Sequence, residues 1–219
     1  MKKEKTERIL SIIFNLLIVV GTILSVAKFY VKSGDGNMEV AGMRCLRYFT
    51  VLSNILSGLT AAIMLAAQVR EKGSVPQWVL VQKYVGTVSV TLTFLTVVLF
   101  LGPTQGYVRM FSGNAFYLHL VGPLLAIFSL IFMEQGTKPL TKKHALLAML
   151  PCVVYGLLYL VMVVFVGREN GGWPDFYGFN IGGMWYLSLV VMYAANWLLC
   201  LLLRTCHTKS RYPVNAKEA

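Results

Sequence analysis

The chain reads as an all-α integral membrane protein, a bundle of six transmembrane helices with both termini in the cytoplasm. Three observations carry that reading: six long apolar runs, basic residues gathered in alternate connecting segments, and no acidic side chain in the middle of any run. Hydrophobic residues fill 57% of the 219 positions and charged residues 13%. Soluble domains hold roughly 45–50% apolar residues, so a water-soluble core does not account for the excess.

Each run is long enough for the roughly 20 apolar residues that cross the hydrocarbon. The first, 9–31, follows a basic head. It is too long for a signal-peptide core and lacks a small-residue cleavage site, so it reads as a retained span. Ser33-Gly34-Asp35-Gly36-Asn37 breaks the chain before the second span, 45–69, and Lys72-Gly73-Ser74-Val75-Pro76 breaks it after. The third span, 78–101, stops at Gly102-Pro103. The fourth covers 115–133 and the fifth 144–166; Gly171-Gly172-Trp173-Pro174 separates the fifth from the sixth, 184–204. Aromatic residues near the span ends (Tyr30, Tyr48, Trp78, Tyr107, Tyr117, Trp185, Tyr186) fit interfacial belts. With no internal repeat and only short outer loops, 1–219 reads as one membrane domain.

The net charge of +11 does not point to nucleic acid, because the cations lie between apolar spans rather than on one soluble face. Fourteen of the twenty lysines and arginines fall in one alternate set of segments, with Lys83 counted among them, and six in the other. Positive segments stay inside, which puts both termini in the cytoplasm. Cys45, Cys152, Cys200 and Cys206 form no C-x-x-C pair and read as small packing residues rather than a disulfide or metal framework. No cofactor is expected.

Polar residues inside the spans narrow the function. In the second span Thr50, Ser53, Asn54 and Ser57 recur at i, i+3, i+4 and i+7, one helical face, with Val51, Leu52, Ile55 and Leu56 opposite. The bland reading is close helix packing, with hydroxyls bonding across the interface. The fourth span opens with His119, the one histidine well inside a run. An ionisable group there is a functional-site hypothesis by default. Pro123 lacks the N–H that would bond the His119 carbonyl, and Gly122 and Ala126 keep that face small. Thr50 and His119 each lie about five residues into spans of the same direction, roughly 7 Å deep at the helical rise. A threonine hydroxyl beside an imidazole at one depth is a nucleophile with its base. The nine acids lie outside the middles of the spans, which argues against proton-coupled transport. An orienter for His119 is then a backbone carbonyl, Asn54, or an outer-loop acid such as Asp175.

Arg47-Tyr48-Phe49-Thr50-Val51-Leu52-Ser53-Asn54 and His119-Leu120-Val121-Gly122-Pro123 resemble motifs of six-span bacterial membrane proteins of unassigned function. More distantly they resemble the androgen-induced family of membrane threonine hydrolases, with a shorter histidine-to-proline spacing. That family cleaves fatty acid esters of hydroxy fatty acids. Its nucleophilic threonine early in span two corresponds to Thr50, and its histidine early in span four to His119; Glu134 corresponds to a family acid. Pro174-Asp175-Phe176-Tyr177-Gly178-Phe179-Asn180 resembles an aromatic outer loop of the bacterial relatives.

The resemblance implies an intramembrane lipid-ester hydrolase of the cell membrane, acting near the outer leaflet on a lipid-like substrate. Thr50 and His119 are its expected catalytic pair, and Asn54, Ser53, Arg47, Tyr117 and Trp185 its expected substrate contacts. The alternative is a non-enzymatic membrane protein or carrier that binds a lipid or small molecule. Oligomeric state is open on either reading.

Overall fold

The computed structural model describes residues 2–31, 42–70 and 74–213. The expected breaker at 33–37 and the start of the one at 72 lie outside the described residues. Six helices are long and apolar enough to cross a bilayer, and no strand occurs among the described residues. They are α1 (Lys2–Ala27), α2 (Phe49–Arg70), α3 (Gln77–Gln105), α4 (Gly113–Phe132), α5 (Lys142–Val166) and α6 (Trp185–Arg211). Five limits differ by four residues or more from the sequence expectation: α1 starts at Lys2 rather than 9, α2 starts at Phe49 rather than 45, and α3 runs on through Gly102-Pro103 to Gln105 rather than stopping at 101, besides the C-terminal limits of α1 and α6. α1 stops at Ala27, four residues early, where Lys28, Phe29 and Tyr30 form a turn. α6 continues past Arg204 to Arg211, because His207 and Leu203 still face the interior.

α3 is the central helix and the most buried, packing on α2, α4, α5 and α6. α1 packs on α2 and α4, whereas α5 packs mainly on α3 and α6. The core runs along α3 through Leu80, Tyr84, Val88 and Leu92, and meets Met64 of α2, Leu130 of α4 and Leu199 of α6. Both ends of the described chain meet at one end of the bundle, where Arg211 of α6 pairs with Glu7 of α1 at 2.8 Å. We call this the terminal end.

Small residues set the closest approaches. A Cβ on Gly86 of α3 would sit 2.3 Å from the Thr60 hydroxyl and 3.2 Å from the Ser57 backbone of α2. Gly86→Ala is expected to push the two helices apart and lower stability by about 1–3 kcal/mol, the usual cost of overpacking. Thermal melting in detergent measures this, and an unchanged melting temperature would contradict the close packing.

Two prolines shape the other end. Pro103 and Pro123 each follow a glycine, and each pair is preceded by a five-residue π-helical stretch, Val97–Leu101 in α3 and Tyr117–Val121 in α4. A proline ring clashes with the carbonyl four residues back and offers it no N–H. Both helices answer by widening: Gly102 N–H reaches Val97 O, and Gly122 N–H reaches Tyr117 O. Such wide turns are frequent at functional sites, and the second one carries His119.

Candidate functional site

The site begins at the N-terminus of α2. A short 3-10 helix, Gly42–Arg47, leads into Phe49. The first amides of a helix have no partner within it. Here Phe49 N–H donates to the Tyr177 hydroxyl at 2.9 Å, and that hydroxyl also faces the Thr50 amide and side chain. Burial pushes the Tyr177 phenol up to about 12, so it stays protonated at neutral pH. Tyr155 of α5 donates to the Arg47 carbonyl at 2.7 Å.

Tyr177 is held there by an acid. The Asp175 carboxylate accepts from the Tyr159 hydroxyl at 2.7 Å and from the Phe179 and Asn180 amides at 2.9 and 2.8 Å. Tyr177 N–H in turn donates to the Tyr159 oxygen at 3.2 Å. Rings pack around this knot, with Phe176 4.3 Å from Tyr48 and 4.7 Å from Tyr177 between centroids. The loop between α5 and α6 is thus a built cap over the start of α2.

Under the cap a cleft of about 800 Å³, counting its open mouth, runs between α3, α5 and α6. Leu92, Val97, Leu101, Leu160, Val163 and Met192 make most of its wall apolar. Thr50, Thr93, Asn180 and Ser188 supply polar points, and Trp185 also lines it. An apolar slot with a few convergent polar groups is the usual form of a small-molecule site.

The seven expected site residues separate into two groups. Thr50 and Trp185 line the cleft; Arg47, Ser53, Asn54, Tyr117 and His119 do not. Ser53 Oγ donates to Thr50 O at 3.1 Å and lies 2.9 Å from Thr93 Oγ1. Asn54 Nδ2 donates to Thr50 O at 2.8 Å and to Leu118 O at 3.0 Å, which ties α2 to α4 beside His119. Tyr117 turns toward α1: its hydroxyl donates to Ile18 O at 2.9 Å and its ring covers Gly21, where a Cβ would sit 2.2 Å away.

His119 Nδ1 lies 2.6 Å from the Met110 carbonyl. A carbonyl only accepts, so Nδ1 carries the hydrogen and Nε2 keeps the basic lone pair. Of the three orienters considered, the backbone carbonyl fills the role. Asp175 holds the cap and Asn54 bridges two carbonyls. Among the described residues no hydrogen bond joins His119 to Thr50.

A second polar assembly lies near the terminal end. Lys83, counted above with loop cations, sits inside α3 with no exposed surface. Its Nζ donates to Asn15 Oδ1 at 2.7 Å and lies 3.8 Å from Glu134 Oε1. Glu134 follows α4 but folds back to 1% exposure. Its Oε1 accepts from Asn15 Nδ2 at 2.8 Å and from Ser129 Oγ. His207, three residues past the expected end of span six, is wholly buried, and its Nε2 lies 3.1 Å from Glu134 O. A lysine at the sixth residue of span three and an asparagine at the seventh residue of span one are the sequence signals that mark this assembly. No model of a known protein family, no curated protein and no solved structure matches the chain.

Proposed function

We propose that the chain is a multi-pass cell-membrane hydrolase of lipid esters, similar in its motifs to the androgen-induced threonine hydrolases, with Thr50 as nucleophile and His119 as base. The observation that carries this reading is Thr50 itself, a hydroxyl on the wall of an apolar cleft beside the first amides of its own helix, which only the Tyr177 hydroxyl covers. The basic segments put the terminal end in the cytoplasm and the cleft's cap near the outer leaflet, within reach of an ester just below the headgroups.

On this reading the Thr50 oxygen attacks the acyl carbonyl while His119 Nε2 takes its proton. The alkoxide leaves with that proton, and water then cleaves the acyl-threonine. The Phe49 and Thr50 amides are placed to bind the oxyanion once Tyr177 moves aside. The imidazole and the hydroxyl meet only with substrate bound, as is common where resting catalytic hydrogen bonds are long.

A second reading, lipid binding without chemistry, is favoured by the position of His119 away from the cleft. A fluorophosphonate probe separates the two. Labelling of the native chain that vanishes in both Thr50→Ala and His119→Ala is the expected result. Full labelling of Thr50→Ala would end the threonine mechanism, and a folded native chain that never labels would favour binding.

A further inference from the structure

We propose that the Lys83–Glu134 assembly is a proton-exchange site, and that it forms the buried step of a proton path running from the terminal end of the bundle toward the cleft. The proposal is independent of the hydrolase reading.

A charge fully removed from water neutralises itself unless it is well paired. Lys83 and Glu134 have no exposed side-chain surface and stand 3.8 Å apart. The lysine's close partner is the neutral Asn15. Charged and neutral forms of such a pair are closer in energy than those of a tight, doubly bonded one, which favours proton exchange. Glu134 Oε2 is buried without a partner, so one carboxylate oxygen is open to a proton. His207 Nε2 donates to the Glu134 carbonyl, which leaves its Nδ1 a buried acceptor, also without a partner.

Polar groups continue on both sides. Toward the terminal end, one turn beyond His207, the Arg211–Glu7 pair is partly exposed and marks the entrance. Toward the cleft, Thr87 lies one turn along α3 from Lys83, and its buried hydroxyl has no partner. Tyr84 donates to Cys200 O at 2.5 Å and sets the register of α3 against α6. That register brings Asn196 to the level of Thr87; both of its amide atoms are buried and without a partner. Further along α3 the Thr91 hydroxyl donates to the Thr87 backbone carbonyl at 2.7 Å, and the Thr93 hydroxyl, which lines the cleft, lies 2.9 Å from Ser53, so these hydroxyls are polar points spaced along the helix rather than a bonded chain. From Lys83 to Thr93 the path rises about 15 Å along one helix.

The cycle balances. A proton from the terminal end binds Glu134 at Oε2 and gives the neutral acid. Lys83, without its counter-charge, releases a proton from Nζ toward Thr87 and becomes the neutral amine. Transfer of the acid proton from Glu134 to Lys83 restores the ion pair. One proton enters, one leaves, and no other bond changes. The charged groups on the helices packed around the pair include Glu7 and Arg8 from α1, Arg70 in the last turn of α2, and Arg204, His207 and Arg211 from α6; Gln68 of α2 is neutral and its amide donates to Ser11.

The test is proton flux. The full chain is reconstituted in liposomes that hold a pH-sensitive dye, and a potassium diffusion potential is set with valinomycin. Native liposomes are expected to acidify faster than empty ones, with Glu134→Gln falling to the empty-liposome rate. Because that variant leaves a lysine unpaired, a Lys83→Met, Glu134→Gln double variant is run beside it after size-exclusion and melting checks; it too is expected to show no flux above background. A native rate equal to that of empty liposomes overturns the proposal, and so does a folded double variant that keeps the native rate.

Discussion

Replacing Lys83 by Met is expected to lower the stability of the purified chain by about 3–5 kcal/mol, whereas replacing Lys83 and Glu134 together by Met and Gln is expected to recover most of that loss. The asymmetry follows from burial. Each charge is stabilised by the other and by Asn15 and Ser129. Without the ammonium, Glu134 is a buried carboxylate with one oxygen lacking any partner, and Asn15 Oδ1 loses its donor. Removing both charges eliminates the desolvation cost along with the attraction, and such replacements are often neutral or stabilising. Chemical denaturation in detergent, with the coupling read from the double-mutant cycle, measures it. Additive losses from the two single variants would show that the residues do not act as a pair.

This assembly also shows where sequence reasoning runs out. Hydropathy finds the six helices because length and apolar content are local properties of the chain, and the limits of α2 and α4 fall within a few residues of expectation. The stripe from Thr50 to Ser57 does face the interior, yet Ser53 and Asn54 use their polar atoms to bind α2 to α3 and α4. Periodicity identifies the buried face of a helix; it does not say whether a polar group on that face meets a ligand or a neighbouring helix. Lys83 escapes a reading by sequence for a related reason. A census of basic residues assigns a lysine near a span end to the loop side, and burial of its long side chain depends on partners from α1 and the segment after α4. Glu134 lies outside any apolar run, and only the fold-back of the chain after α4 brings it in. The cap is harder still: nothing in the spacing of Asp175 says that its carboxylate gathers Tyr159 from α5 and two amides of its own loop.

Asp175→Ala is expected to unfasten the cap while leaving the bundle intact. The carboxylate is the shared acceptor for three donors, and hydrogen bonds to a charged group contribute roughly 1.5–3 kcal/mol each; with partial compensation by water, a local loss of about 3 kcal/mol is expected. That is a hundredfold or greater rise in the opening equilibrium of the loop. Amide exchange at Phe179 and Asn180 should accelerate accordingly, while amides in the middle of α3 keep their protection, since the helical core lies elsewhere. Asp175→Asn should fall between, because the amide oxygen still accepts but its NH₂ opposes a backbone donor. Glu169, exposed on the same connection, provides the contrast, and Glu169→Gln should change nothing. The consequence for the site depends on what Tyr177 does. If its hydroxyl fills the place of the substrate carbonyl, a loosened cap uncovers the Phe49 and Thr50 amides and Thr50 labels faster. If the cap instead completes the cleft, labelling slows as ordered wall is lost. Unchanged exchange at Phe179 and Asn180 would show that the acid does not hold the loop, and the cap would then rest on its ring packing alone.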